Sequence, residues 1–241
     1  MKFKAAFHYR FRTQLTLIAC YLVFFFVLLG ILPLIVSHLS TSGFHGNGST
    51  DLVGPAMVFV LLISFNGIQS DFRFFIQNGI SRLNFFLVNL LINFLVSMGV
   101  SFILVCIQKF ISYNFIKNID YHLNIVDVYA RGDFSQSIVL FSLLLFLVSS
   151  FALLAAIFND RFSTRQKVIT LAILIALPIM FSIFSQSDTA SSIAFSKFFV
   201  WALGLQSSLP SISHFSVTLT ILTSGIFLIA YPLNKRRIIQ Q

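Results

Sequence analysis

Long apolar runs separated by shorter polar segments organise this chain. Six runs contain no Asp, Glu, Lys or Arg, and they cover residues 15–36, 52–69, 83–107, 138–158, 168–184 and 212–231. Their lengths match the roughly 17 to 25 residues that a helix needs to cross a bilayer. The pattern therefore predicts one all-α integral membrane domain with six transmembrane helices.

Two further segments are expected to lie at the membrane surface. The N-terminal sequence MKFKAAFHYRFRTQ alternates basic and aromatic residues, which predicts an interfacial amphipathic helix on an anionic surface. Residues 195–205 are apolar but too short to cross, and Trp201 lies close to Lys197 there. We expect a short re-entrant or interfacial helix between spans five and six, and we expect Pro232 to end span six.

The segment between the second and third runs, SDFRFFIQNGISRLNFF, predicts a short amphipathic helix over residues 70–77. Its apolar positions share one face: Phe72, Phe75 and Ile76. Its polar positions lie largely on the other: Asp71, Arg73 and Gln77. Asn78-Gly79 is a stop signal of the left-handed capping type, and Ser81 can cap the next helix. Such a helix either ties two spans together or presents a docking site to a cytoplasmic protein.

Composition agrees with a membrane protein and charge predicts its orientation. Hydrophobic residues make up 57% of the chain and charged residues 10%, with a mean hydropathy of +0.92. Twelve of the sixteen Lys and Arg lie in the N-terminus, the loops after runs two and four, and the C-terminal tail. Cytoplasmic loops carry such an excess, so both termini and the 70–81 segment are expected in the cytoplasm.

The runs contain little that could perform chemistry. They hold no Asp, Glu, Lys or Arg and a single histidine, His214; the chain has no glutamate, and its histidines are not clustered. These features argue against intramembrane catalysis, a metal site and ion-driven transport. No G-x-x-x-x-G-K-[ST] loop is present, so the chain is not expected to be an enzyme or to bind a cofactor itself. Active transport would need energy from a partner.

The third run carries an ordered polar stripe. Its members recur every four residues: Asn89, Asn93, Ser97 and Ser101. This spacing places them along one slowly drifting helix face. The stripe either joins helices by hydrogen bonds within a bundle, or it lines a translocation path or a subunit interface.

The phrase QNGISRLNFF, between spans two and three of a six-span chain with a basic N-terminal segment, resembles the permease subunits of type-2 (ABC-2) ABC transporters, especially small bacterial exporters. The resemblance implies that this loop is the coupling helix that seats on a cytoplasmic ABC ATPase subunit. It implies these contact residues: Phe72, Arg73, Phe75, Gln77, Asn78, Gly79, Ser81 and Arg82. ATP and Mg would then be bound by the partner subunit, and the permease would form a homodimer or pair with a similar chain.

The expected protein is thus a multi-pass permease of the bacterial plasma membrane, with lipid and an ATPase as partners and no nucleic acid. The 31 phenylalanines and the uncharged spans favour an apolar or amphipathic cargo, such as an antimicrobial peptide, a drug or a lipid-like compound. One alternative is a non-transporting immunity, sensor or assembly protein. Another is the membrane substrate-binding component of a vitamin importer.

Overall fold

The computed structural model describes residues 2–27, 48–66, 68–114, 119–163, 165–167, 169–170, 190–206 and 210–235. Within these residues the main elements are, in order, α1 (Lys2–Phe26), β1 (Gly48–Asp51), α2 (Val53–Phe65), α3 (Ile68–Gln77), α4 (Arg82–Asn114), β2 (Ile119–His122), α5 (Asn124–Ala130), α6 (Phe134–Arg161), α7 (Ala190–Ala202) and α8 (Ile212–Lys235).

Three helices form the centre of a bundle. The segments Arg82–Lys109, Phe134–Asp160 and Ile212–Lys235 are each long enough and apolar enough to cross a membrane, by length and composition. Helix α6 packs against α2, α4 and α8, and α1 packs against α4. These segments match the third, fourth and sixth predicted runs. The predicted fifth run, 168–184, lies almost wholly outside the described residues, as does the second half of the first.

Helix α4 has an apolar exposed face and a partly polar buried face. Between the exposed cations Arg82 and Lys109, its exposed large side chains are all apolar: Leu83, Leu87, Leu91, Phe94, Leu95, Met98 and Phe102. Its buried side includes the four members of the polar stripe. Membrane helices have this distribution, because lipid tails solvate the apolar face and neighbouring helices satisfy the polar one. The pattern fits a membrane protein.

The N-terminal segment and the start of the first run form one continuous helix, α1, where the sequence led us to expect a separate interfacial helix followed by a span. No Gly or Pro lies between Lys2 and Phe26 to interrupt it. The expected division of these residues into two helices is therefore wrong.

The second predicted span, 52–69, is wrong at its C-terminal boundary. Helix α2 has 13 residues and ends at Phe65, where Asn66 adopts extended backbone angles. Its length of about 20 Å is less than the roughly 30 Å of a bilayer core. Asn66 is followed by Gly67 in the sequence, and this dipeptide favours a turn. Helix α3 then begins at Ile68.

The sixth run continues through Pro232, which lies inside α8, so the expectation that Pro232 ends this span is wrong. Proline removes one backbone donor, and that loss is small near a helix end, where the last turn lacks full bonding anyway. Contacts with α4 hold this turn. The Asn234 side chain donates to the carbonyl of Arg82 over 3.1 Å, and the Arg82 guanidinium donates to the carbonyl of Lys235 over 2.6 Å.

The described fold is essentially all-helical, as predicted, and it includes one pair of short parallel strands that the sequence did not predict. Strand β1 pairs with β2 with Gly48 opposite Ile119 and Asp51 opposite His122. The pairing continues as the Leu52 amide donates to the His122 carbonyl over 3.0 Å. It joins the segment before α2 to the segment after α4. Four-residue strands provide too few alternating positions to be predicted from hydrophobicity.

The helix ends form two groups. Helix α3 lies with the start of α1, the start of α4 and the end of α8, and we call this group the α3 end. The strands, α5, the end of α7 and the start of α8 form the opposite end, where the Tyr129 hydroxyl donates to the Leu203 carbonyl over 2.7 Å. This grouping agrees with alternate loops lying on opposite sides.

Helix α7 covers most of the segment that the sequence assigned to a re-entrant or interfacial helix, 195–205. It has 13 residues, and Gly204, with a φ of 67°, follows its end. Lys197 and Trp201 are exposed on it. The helix therefore exists, it starts five residues before the predicted segment, and its length is too small for a crossing.

Candidate functional site

Helix α3 is amphipathic, and its apolar face packs into the core as the sequence predicts. Phe72 and Phe75 are 2% and 3% exposed. Both rings lie against Phe85 of α4, at centroid distances of 5.4 and 5.9 Å. Ile76 is half-buried, and Arg73 and Gln77 are exposed. The packed face fixes which side chains α3 can offer to a partner.

Asp71, which the sequence placed with the exposed polar residues, is buried. It forms an ion pair with Arg10 of α1, and both residues are under 10% exposed. The Arg10 Nη2 atom also donates to the Asn66 carbonyl, which follows α2, over 2.9 Å. One guanidinium thus connects α1, the end of α2 and α3.

Burial opposes the charged form of both partners. It raises the pKa of Asp71 and lowers the pKa of Arg10, while their mutual attraction acts against both shifts. Losing either partner would leave the other charge buried without compensation, which is far more costly than an exposed unpaired charge. The pair therefore fixes α1 against α3.

The end of α3 is closed by hydrogen bonds in the Schellman pattern. The Gly79 amide donates to the Ile76 carbonyl and the Ile80 amide donates to the Phe75 carbonyl, each over 3.0 Å. Gly79 has a φ of 72°, a conformation that favours glycine. The predicted stop signal at Asn78-Gly79 is confirmed.

The start of α4 is capped as predicted. The Asn84 amide donates to the Ser81 hydroxyl over 3.2 Å, which satisfies one of the free donors of the first turn. Helix α3 is thus held on both sides: by Arg10 at its start and by a capped turn at its end.

The eight residues expected to contact a partner separate into two groups. Phe72 and Phe75 lie in the core, where they support α3 from behind. The remaining six are exposed: Arg73, Gln77, Asn78, Gly79, Ser81 and Arg82. The structure therefore brings the polar members together on an accessible surface and separates them from the two aromatic ones.

Two aromatic residues of this surface were missed. Phe74 of α3 and Tyr9 of α1 stack at a centroid distance of 5.8 Å, and they are 51% and 50% exposed. A helical wheel of α3 places Phe74 beside Arg73 on the polar side, so the sequence contained a signal for it. Tyr9 could not be found in this way, because its position depends on the packing of α1 against α3.

All four members of the polar stripe on α4 are buried inside the bundle: Asn89, Asn93, Ser97 and Ser101. The Ser101 hydroxyl donates to the carbonyl of Ile138 in α6 over 2.9 Å. The Asn89 amide group donates within α4 to the Phe85 carbonyl, also over 2.9 Å. Burial and the α4–α6 bond favour the interpretation of the stripe as a packing feature.

Among the residues that the structure describes, no group of three or more His, Cys, Asp or Glu side chains could hold a metal ion. Comparison with known proteins finds no family model, no curated protein and no solved structure that matches the chain.

Proposed function

We propose that this chain is the membrane permease subunit of an ATP-driven transporter of the ABC-2 type and acts with a separate cytoplasmic ATPase. The observation that carries the proposal is the rigid mounting of α3 between two apolar helices. Its apolar face is buried, its end is capped, and its remaining side chains are exposed at one end of the bundle. This arrangement suits a helix that a partner outside the membrane displaces.

The exposed surface of α3 has the composition of a protein contact. Arg73, Phe74 and Gln77 are exposed on it, and Tyr9 extends the aromatic area onto α1. Arginine and aromatic residues dominate the binding energy of protein interfaces, because they combine large contact areas with directional hydrogen bonds. An ATPase subunit with a matching groove would bury these four side chains.

In the proposed mechanism the partner binds ATP and Mg, and ATP binding closes a pair of ATPase subunits. The closing movement displaces α3. Because α3 follows α2 directly and precedes α4 by one capped turn, both helices move with it. Two permease chains, identical or similar, then open a path alternately to each side. The Arg10–Asp71 pair makes α1 part of the moving unit.

The proposed cargo is apolar or amphipathic, such as an antimicrobial peptide, a drug or a lipid-like compound, and the proposed direction is export. In this scheme the α3 end faces the cytoplasm of a bacterial cell. The excess of Lys and Arg in the segments at that end supports this orientation.

The test is isolation of the full-length chain from its native membranes in a mild detergent, with measurement of ATP hydrolysis in the complex. A co-purifying protein with a nucleotide-binding loop is expected. Arg73→Glu should release it or lower its ATP turnover, because Arg73 is exposed and has no hydrogen bond or ion pair within the described residues. Lys197→Glu is the matched control, since it reverses an exposed charge on α7.

The same surface would also serve a non-transporting immunity, sensor or assembly protein. The two functions differ in the identity of the partner. If the wild-type complex contains no ATPase, or if Arg73→Glu and Lys197→Glu change its ATP turnover equally, the permease proposal is wrong. A partner without a nucleotide-binding loop that is lost on Arg73→Glu would favour the alternative.

A further inference from the structure

The exposed face of α1 changes its chemistry along the helix. Its first part presents Lys4, His8 and Arg12, spaced by four residues and therefore aligned. Beyond Arg12 the same side presents Leu15 and Val23, which are 49% and 66% exposed, and Phe24 and Val27 are exposed further round the helix. The exposed surface of the helix is thus cationic up to Arg12 and uncharged beyond it, where the exposed Thr13, Thr16, Ala19 and Cys20 accompany the apolar groups.

Helices α4 and α8 show the same change at the α3 end. On α4 the exposed Arg82 is followed by exposed Leu83 and Leu87. On α8 the exposed Leu228 and Tyr231 are followed by Lys235. A hydrogen bond joins Arg82 to the Lys235 carbonyl, so the two changes occur at one level.

Contacts with α3 show that the basic part of α1 lies near the same level as Arg82. Tyr9 of α1 contacts Phe75, and Phe75 contacts Phe85 of α4, each at a centroid distance of less than 6 Å. Phe85 lies within one turn of Arg82. Three helices therefore place a boundary between cationic and apolar exposed surface at a similar depth, which is the arrangement that the headgroup boundary of a bilayer requires.

We propose that Lys4, His8 and Arg12 form a binding surface for anionic phospholipid headgroups, which we call the α1 basic stripe. We favour a lipid because the basic and apolar parts of the exposed side of α1 are continuous. A single phospholipid can place its phosphate on the α1 basic stripe and its acyl chains on the apolar surface beyond Arg12. A soluble acidic protein could contact only the α1 basic stripe and would leave the apolar surface uncovered. The proposal concerns membrane contact and does not depend on an ATPase.

Local charge favours an anion at the stripe. Asp71, the acidic side chain of α3, is buried and paired with Arg10, so it does not neutralise the exposed cations. Each Lys or Arg near an anionic membrane surface contributes about 1 kcal/mol, or roughly a fivefold change in binding. Lys4 and Arg12 together should give selectivity of roughly 25-fold for an anionic over a zwitterionic headgroup.

The experiment is native mass spectrometry of the full-length chain released from nanodiscs that contain equal amounts of phosphatidylglycerol and phosphatidylcholine. Wild type should retain phosphatidylglycerol preferentially. Lys4→Gln/Arg12→Gln should lose that preference, while Lys4→Arg/Arg12→Lys, which keeps both charges, should retain it. The matched control is Lys109→Gln/Lys197→Gln, which also removes two exposed cations but outside the α1 basic stripe.

Each outcome bears on the proposal. Equal retention of the two lipids by wild type would overturn it, as would an unchanged preference in Lys4→Gln/Arg12→Gln. Loss of the preference in the Lys109→Gln/Lys197→Gln control as well would show a general charge effect and would also overturn it. Because ATP turnover is not measured, failure here would leave the proposed transport function unaffected.

Discussion

Arg10 and Asp71 lie 61 positions apart in the chain and form a buried ion pair between α1 and α3. The pair is located where α2 ends, because Arg10 also binds the Asn66 carbonyl. The Arg10 guanidinium thus joins α1, α2 and α3, which form or support the candidate docking surface. Its removal should affect the whole α3 end.

Asp71→Asn should strongly destabilise the protein, because it leaves the Arg10 charge buried and unpaired. The expected loss in the free energy of unfolding is about 3 to 5 kcal/mol. The double variant Arg10→Met/Asp71→Leu should lose less, since neither buried charge remains. A double-mutant cycle measures the coupling by thermal unfolding of detergent-solubilised wild type, Arg10→Met, Asp71→Leu and the double variant. Additive losses would show that the two residues act independently.

Gly79→Ala should destabilise the end of α3, because its φ of 72° is unfavourable for any residue with a Cβ atom. The expected cost is about 1 to 2 kcal/mol. Gly99→Ala in α4 is the matched control: apart from its chain neighbours and its own helix backbone, no described atom lies within 4 Å of the added methyl group. Alanine in a helix interior should stabilise by up to about 1 kcal/mol. Opposite shifts in the unfolding temperature are expected, and equal shifts would contradict this explanation.

Ser101→Ala should weaken the contact between α4 and α6 by removing the bond to the Ile138 carbonyl. Interhelical hydrogen bonds of this kind contribute about 1 kcal/mol in membrane proteins. Ser142→Ala is the control, because the Ser142 hydroxyl bonds to Val139 within its own helix. The amount of each variant in the membrane and its unfolding temperature should differ accordingly. If Ser101→Ala instead lowers transport at unchanged abundance, the stripe lines a path.

Local signals in the sequence predicted much of this structure. The helices α4, α6 and α8 follow from long uncharged runs, and the end of α3 and the start of α4 follow from the capping signals at Gly79 and Ser81. Each of these signals acts over a few residues, so no knowledge of packing is needed.

Long-range packing accounts for what the sequence did not predict. A helical wheel places Asp71 on the polar side, and its burial depends on Arg10, 61 positions away. The strand pair joins Gly48–Asp51 to Ile119–His122 across α2, α3 and α4, and neither segment has a strand pattern of its own. The continuity of α1 does not depend on long-range packing. The absence of Gly and Pro indicated one helix, but the change from basic to apolar composition suggested two.

The continuous helix α1 also has a mechanical consequence, because it is attached at two levels. Arg10 connects it to α3, and Tyr21 stacks on Phe59 in the middle of α2 at a centroid distance of 3.5 Å. These attachments lie about 16 Å apart along the helix axis. A force that tilts α3 would therefore move α1 through the Arg10–Asp71 pair, and α1 would carry that movement to the midpoint of α2 through the Tyr21–Phe59 contact. Helix α2, which is too short to cross a bilayer, is thus contacted by α1 at its midpoint and connected to α3 at its C-terminal end.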